Sequence, residues 1–308
     1  MTIGGCPMVS VVIPVYNCES FVGVAVESVL EQTYQPIECI VVDDGSTDGT
    51  SLVLSGLGSR IRYVRQARRG AGACRNAGVR MARGEFLAFL DADDVWHPTK
   101  LERQMELALR RPELGLVYCG TEIVDERGRH IRSAPAPEPA DVLRKVLLDE
   151  PPWVGLNQTG LVPRWAFDAA GGYDDRVAVG EDADLTWRLA VLFPIGAVPE
   201  ALAQYRLHPA QLHRGYPQLE REWNRVLDKA FASGLLPPEV QSLERQARAN
   251  LALQLAYEQM TDRPLRSIIR LCRAFRLSPA RTIAWFLWLA RGRLRRLWRQ
   301  SRGEGAQN

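Results

Sequence analysis

Apolar runs that stop at polar residues set the rhythm of the first half of the chain. Residues 9–17, Val-Ser-Val-Val-Ile-Pro-Val-Tyr-Asn, form a β-branched run closed by Pro14 and predict a buried first strand. Ser20 is placed to cap a helix running to about Gln32, with Phe21, Val22, Ala25, Val26, Val29 and Leu30 on one face. Residues 37–42 predict a second strand that ends at Asp43-Asp44-Gly45-Ser46, and Ser46 or Thr47 starts another helix. A short third strand follows at 61–64, a glycine-opened helix at 70–82, and a fourth strand at 86–90 that runs into Asp91-Ala92-Asp93-Asp94. An amphipathic helix at 98–110, a fifth strand at 114–118, a short helix at 142–148 and a helix from Glu181 to Leu192 complete this part. From about residue 216 the pattern is wholly helical, broken at Pro237-Pro238, Pro264 and Pro279. A boundary near residue 215 therefore divides an α/β domain, 1–215, from a helical extension, 216–308. Within the extension, 240–277 reads as a helical hairpin, and no internal repeat is convincing.

Strands alternating with helices predict a mostly parallel sheet flanked by helices. Right-handed crossovers then bring the strand carboxyl ends to one edge. Asn17, Asp43-Asp44 and Asp91 to Asp94 all fall there. If the chain stays extended past Leu90, Asp91 and Asp93 point to the same side. Two hard oxygen donors at the end of a buried strand suit a divalent cation on a diphosphate. The plainer reading is an Asp-rich turn capping the next helix, and for Asp43-Asp44-Gly45-Ser46 an Asx turn.

Composition changes this picture little, and charge changes it in one place. The 308 residues are 46% hydrophobic and 24% charged, ordinary for a chain with a real core. Net charge is +3, yet residues 263–302 hold twelve Arg and no Asp or Glu. The basic character belongs to that segment. Six cysteines at 6, 18, 39, 74, 119 and 272 show no C-x-x-C and no metal-ligand spacing, which fits reduced thiols in a cytoplasmic protein. The N-terminus lacks a secretory pattern, and the apolar run at 283–290 is too short to span a bilayer.

The motifs carry a resemblance. Residues 9–17, then Val41-Val42-Asp43-Asp44-Gly45-Ser46-Thr47-Asp48, Asp91-Ala92-Asp93-Asp94, Gly171-Gly172-Tyr173 and Gly180-Glu181-Asp182 come in the order and spacing of the family 2 glycosyltransferases. The likeness covers about residues 9–210. It implies the GT-A fold, a Rossmann-like sheet, and inverting transfer from a nucleotide-diphosphate sugar, UDP- or dTDP-linked, to a hydroxyl of a saccharide, lipid-linked or other acceptor in cell-surface or exported glycan synthesis. It implies Mg²⁺ or Mn²⁺ on Asp93, with Asp91 on the ribose or on the metal through water, and Asp94 as an alternative ligand. Pro14, Tyr16 and Asp44 match the uracil pocket: Tyr16 to stack on the base, Asp44 to accept its N3–H. Gly70 to Gly78 resembles the family segment ending A-R-N-x-G, so Arg75 is expected to reach the diphosphate or base. Asp182 matches the catalytic base, with Glu181 as runner-up, although acids at a helix start are favoured by the dipole anyway. Trp187-Arg188 and Tyr205-Arg206-Leu207-His208 follow the later pattern, with His208 a ligand of the metal or diphosphate. Trp153, Asn157 and Gln158 lie where the acceptor loop belongs.

A sugar-nucleotidyltransferase is the alternative on a related fold. It needs a Gly-rich, Lys/Arg-bearing loop after the first strand, where this chain has Tyr16-Asn17-Cys18-Glu19. A catalytically silent sugar-nucleotide-binding module is a third reading, and all the expected carboxylates are present against it. Residues 282–302 alternate Trp, Leu and Phe with Arg, a pattern for peripheral contact with the inner membrane face or for a helix packed on the catalytic domain. No nucleic-acid-binding motif accompanies the Arg cluster.

Overall fold

The alternation is realised, among the described residues, as one sheet of nine strands with helices on both faces. The computed structural model describes residues 6–149, 155–208, 218–260 and 263–289. The chain divides into two units, Met1–Leu236 and Pro237–Asn308.

In the first unit the chain order is β1 (Val9–Val15), α1 (Val22–Leu30), β2 (Ile37–Asp43), α2 (Thr50–Ser55), β3 (Arg62–Arg65), α3 (Ala71–Met81), β4 (Phe86–Phe89), β5 (Val95–Trp96) and α4 (Lys100–Arg110). It continues with β6 (Leu116–Val124), β7 (His130–Ala134), α5 (Pro139–Leu148), α6 (Leu156–Thr159), β8 (Leu161–Pro163), α7 (Arg164–Ala169), α8 (Glu181–Leu192), β9 (Ile195–Arg206) and α9 (Leu219–Phe231). The sheet order is β3-β2-β1-β4-β8-β6-β9-β5, with β7 on β6. The β3-β2-β1-β4 half is parallel, as the crossovers require. The other half is mixed: β6 and β9 are parallel, while β8, β7 and β5 pair antiparallel to their neighbours. These later strands escape sequence reading for physical reasons. β8 has three residues, and β9 carries Gly196, Pro199 and three alanines, all poor strand formers.

Apolar residues on β1, α1, β5 and α4, among them Val11, Ile13, Val26, Val29, Trp96, Leu101 and Met105, close one core. Burying each large side chain contributes about 1.5–3 kcal/mol. Pro14 sits in this central strand at no cost in pairing. The β1–β4 ladder ends at Val12↔Phe89, so the N–H that Pro14 lacks faces a side already free of rungs. Gly78 sets the closeness of α3 to β1, because a Cβ there collides with Val12 Cγ1.

Three local expectations are corrected. Ser20 makes no cap, and α1 begins beyond Phe21 without a side-chain cap bond. The helix after β2 starts at Thr50, whose N–H is taken by Asp48 Oδ1 at 3.0 Å, in place of Ser46 or Thr47. The chain does not stay extended past Leu90: it turns, with Asp94 N–H donating to Asp91 O at 3.1 Å. Asp91 and Asp93 therefore leave the strand in different directions.

The division read near residue 215 falls later, after Leu236. α9 lies on the first unit's side because its polar face is tied to it. Lys229 Nζ donates to Asp174 and Asp184 at 2.9 Å each, and Glu222 accepts the Ala178 N–H. The second unit holds α10 (Pro238–Gln241), α11 (Glu244–Glu258), α12 (Pro264–Leu277) and helical residues 279–289. α11 and α12 pack as the expected hairpin around Ala249, Ala252, Leu253 and Ala274, with Leu271, Leu277 and Trp285 beside them.

Candidate functional site at the carboxyl edge of the sheet

The carboxyl ends of β1, β2 and β4 and the start of α8 gather the polar residues of interest into three neighbouring groups. The first surrounds Asp44. Its neighbour Asp43 forms the Asx turn, Oδ1 accepting Ser46 N–H at 2.7 Å, while Oδ2 takes the Tyr63 hydroxyl at 2.8 Å. Asp44 turns the other way. Oδ1 accepts Gln66 Nε2 at 3.0 Å and Arg69 N–H at 2.8 Å, and Oδ2 accepts only Gly70 N–H, at 2.8 Å, among the backbone and amide donors. Those hydrogen bonds outweigh burial and hold the carboxyl below its usual range. Asn17, in the left-handed region at φ 49°, joins the two strand ends, its Oδ1 accepting Thr47 N–H at 2.8 Å. Arg68 lies over the Tyr16 ring at 3.7 Å. Neither Arg68 nor Gln66 was singled out in the sequence. The available signal was a polar Arg65-Gln66-Ala67-Arg68-Arg69 loop at the end of the third strand.

The second group is built on Arg75. Sequence reading has this guanidinium reaching a diphosphate or base; the structure instead buries it at 2% exposure between two carboxylates. Nη2 meets Asp91 Oδ1 at 2.5 Å and Nη1 meets Glu181 Oε1 at 2.6 Å. The Tyr173 ring lies 5.3 Å from its charged carbon. Tyr173 is buried too, its hydroxyl donating to Asn157 Oδ1 at 2.8 Å and its carbonyl accepting from Asn76. This strut joins α3, the end of β4 and the start of α8, so the A-R-N stretch and the Gly-Gly-Tyr turn are parts of one arrangement. Gly180 enters α8 at φ +81°, a conformation open to glycine, and a Cβ there would also meet Trp223 of α9 at 3.5 Å.

The same strut separates Glu181 from Asp182. Glu181 is spent on Arg75 and is buried. Asp182 is half-buried and makes no ion pair that the structure records; its Oδ1 accepts only Ala183 N–H, at 2.8 Å. Burial first, and then repulsion from Glu181, lift its carboxyl to about 7.

The third group contains Asp93, Asp94, His208 and Arg206. His208 Nε2 and Asp93 Oδ2 are 2.9 Å apart, with Phe21 against the imidazole. Asp94 is fully buried; Oδ1 accepts Arg206 N–H at 2.9 Å, and Oδ2 has no hydrogen-bond partner among the described residues. Burial and then repulsion from Asp91 raise the Asp93 carboxyl, and burial and then repulsion from Asp93 and Asp91 raise that of Asp94. Asp91 adds a third carboxylate, its Oδ2 3.4 Å from Gln158 Nε2. A divalent cation suits this crowding, since it reverses the repulsion that drives the carboxyls up. Asp93 and His208 already meet in a hydrogen bond, which a cation bound to both would replace. No three His, Cys, Asp or Glu donors converge among the described residues, so any cation here relies on water and phosphate for the rest of its shell.

Gln158 is held from behind. Its carbonyl accepts Trp96 Nε1 at 2.7 Å, and Gln104 Nε2 reaches the Thr159 carbonyl at 2.7 Å. Trp153 lies outside the described residues.

The model of the family described as glycosyl transferase family 2 matches residues 10–156. An uncharacterized glycosyltransferase of Rickettsia prowazekii is 32% identical over 211 residues, 67% of this chain and 65% of that protein. The chain spans 19% to 66% of the length of curated relatives it matches. Staphylococcus aureus TarS 1–349, solved with UDP-GlcNAc, superposes with a TM-score of 0.64 at 18% identity, covering 90% of this chain and 83% of that one. A mannosyltransferase of Pyrobaculum calidifontis, solved with GDP-Man and Mn²⁺, gives 0.58 at 21%, covering 96% and 82%. These likenesses show the GT-A fold.

Proposed function

This chain belongs to glycosyl transferase family 2, and on that premise we propose that it is an inverting, metal-dependent glycosyltransferase using a nucleotide-diphosphate sugar. The observation that carries the proposal is the division of labour around Arg75. One guanidinium ties down Asp91 and Glu181 and leaves Asp182, with its carboxyl lifted to about 7, as the unpaired carboxylate at the start of α8. A general base works best with a pKa near the operating pH, and Asp182 meets that condition.

In this reading the base of the donor stacks at Tyr16, beside Pro14, and gives its ring N–H to the Asp44 carboxylate. Uracil and thymine present one such N–H; guanine presents two donors and would use both oxygens, one of which is already doubly occupied. That favours UDP- or dTDP-linked sugars. Arg68 already covers one face of the Tyr16 ring, so the base would stack on the other face with Arg68 backing the ring. Asp91, oriented by Arg75 and Gln158, accepts from the ribose hydroxyls. Asp93 and His208 would hold Mg²⁺ or Mn²⁺, as the Mn²⁺ in the Pyrobaculum neighbour supports. When bound, the cation supplies Lewis-acid stabilisation of charge on the diphosphate.

Asp182 accepts the proton of the acceptor hydroxyl as that oxygen bonds to the anomeric carbon from the face opposite the diphosphate. The carbon–oxygen bond to the diphosphate breaks, and the anomeric centre inverts. Arg75 is a positioning residue in this account and touches neither substrate. The acceptor is a hydroxyl of a saccharide or lipid-linked saccharide, and we read the reaction as cytoplasmic. Among the described residues no helix is long and apolar enough to cross a membrane.

The test is a panel of UDP-, dTDP- and GDP-sugars assayed for metal-dependent release of the nucleoside diphosphate. A uridine or thymidine donor is expected to turn over, Asp93→Ala and Asp182→Asn to lose about a hundredfold or more in kcat. Wild-type turnover by folded Asp182→Asn would overturn the base assignment.

A further inference from the structure

In the second unit α12 turns its apolar face the wrong way for a helix of a soluble hairpin. Its buried residues are Ser267 and Ala274, set against Ala249, Ala252 and Leu253. Its large apolar residues face solvent: Leu265 is 77% exposed, Ile268 56%, Ile269 68% and Phe275 51%. At 100° per residue these four, with exposed Cys272, form one continuous stripe. Arg266 and Arg273 are exposed along one border of it, and exposed Arg276 falls within it. The next helical residues, 279–289, repeat the pattern, with Ile283, Phe286, Leu287 and Trp288 each about half exposed or more.

We propose that the α12 face is a docking surface for an anionic lipid bilayer, with the stripe entering the headgroup–acyl boundary and the bordering Arg residues meeting lipid phosphates. Charge decides among the occupants. Residues 263–302 contain no Asp or Glu, so a second copy laid on this face brings Arg against Arg with no carboxylate to meet it. A nucleic acid satisfies the Arg residues but leaves the Leu, Ile and Phe in water, since backbone binding to phosphates uses charge. An anionic membrane satisfies both: apolar side chains bury to about 5–10 Å depth while long Arg side chains reach back to the phosphates. The residue range is displaced from the one read in the sequence, 282–302. The structure puts the exposed stripe first on α12, and residues 290–302, including Trp298, lie outside the described residues. The inference stands independently of the transferase reading, because it uses only the second unit.

The experiment is co-sedimentation of the full chain with vesicles of phosphatidylcholine alone and with about one third phosphatidylglycerol, at low and high salt. Expected is binding to the anionic vesicles at low salt that weakens at least about tenfold at high salt, and little binding to the neutral ones. Arg266→Gln and Arg273→Gln should each weaken binding about fivefold. Leu265→Ser with Ile269→Ser should weaken it more and leave circular dichroism and melting unchanged, because both positions are exposed. Quenching of Trp288 fluorescence by brominated lipid, lost in Trp288→Phe, gives a readout on the unmutated α12. Absence of anionic-vesicle binding at low salt overturns the proposal. So does binding unaffected by the α12 substitutions, or a dimer in sedimentation that the same substitutions dissociate.

Discussion

Asp182 and Glu181 are adjacent in sequence and chemically alike, yet their surroundings give them opposite behaviour. Glu181 is neutralised at 2.6 Å by Arg75, while Asp182 carries the repulsion of its neighbour and the cost of burial. The pH consequence follows from sign. The folded-state pKa of Asp182, about 7, lies above the ordinary carboxylate value of about 3.9, so the native chain holds the proton across that window. Stability linked to this group is present below about pH 4 and is lost as pH rises to 7. Asp182→Asn is therefore expected to melt higher than the wild type at pH 8, by about 2 °C or more, with the difference shrinking towards pH 4. Wild-type kcat/KM should climb with pH, reach half its plateau near pH 7 and level off about a unit above. A profile flat from pH 5 to 8 would remove Asp182 from the role of base. Arg75 gives a second test at this scale. Arg75→Ala leaves two carboxylates facing each other in a buried site and should cost about 3–5 kcal/mol in denaturant unfolding. Arg75→Lys keeps one charge without the fork and should fold while losing about tenfold or more in kcat.

At the scale of elements, the site depends on how closely α3 and α8 approach the sheet. α3 presses on β1 at Gly78, and that contact sets the reach of Arg75 three residues earlier. Gly78→Ala should destabilise by about 1–3 kcal/mol and disturb both ion pairs of Arg75, which urea unfolding and donor KM can read together. α8 is fixed at its other side by α9 through Lys229, Asp174 and Asp184. This is why a helix that reads as the start of the helical extension belongs to the first unit. The elements whose apolar pattern is long and regular, β1, α1, β2, α3, α4 and α8, were legible in the sequence within a few residues. β5, β7, β8 and β9 were not, because short or Ala/Pro-bearing strands owe their existence to neighbours across the sheet and not to their own periodicity. Ser20 was legible as a cap by type alone, and type does not decide where a helix begins.

For the whole molecule, ligand linkage offers a test that needs no acceptor. A nucleotide that binds only the folded state at one hundred times its Kd should stabilise by about 2.7 kcal/mol. With Mg²⁺ or Mn²⁺ present, UDP or dTDP should raise the melting temperature, and a chelator should remove most of the rise. An equal shift with and without the metal would separate nucleotide binding from the carboxylate cluster. The sequence by itself determined the alternation of the first half, the parallel strands β1 to β4, and the set of residues at their carboxyl ends, because those features are written in local hydrophobic periodicity and in which residue types stop each run. The resemblance to family 2 glycosyltransferases, and not periodicity, singled out Asp44, Arg75, Asp91, Asp93, Glu181, Asp182 and His208. Only the tertiary structure decided what each of them does to the others. Asp91 and Asp93 part at a turn, Asp93 meets His208 from 115 positions away, and Arg75 closes on Glu181 across 106. Such pairings depend on strand order and helix packing, which bring distant residues to one edge, and no local pattern in the chain encodes them.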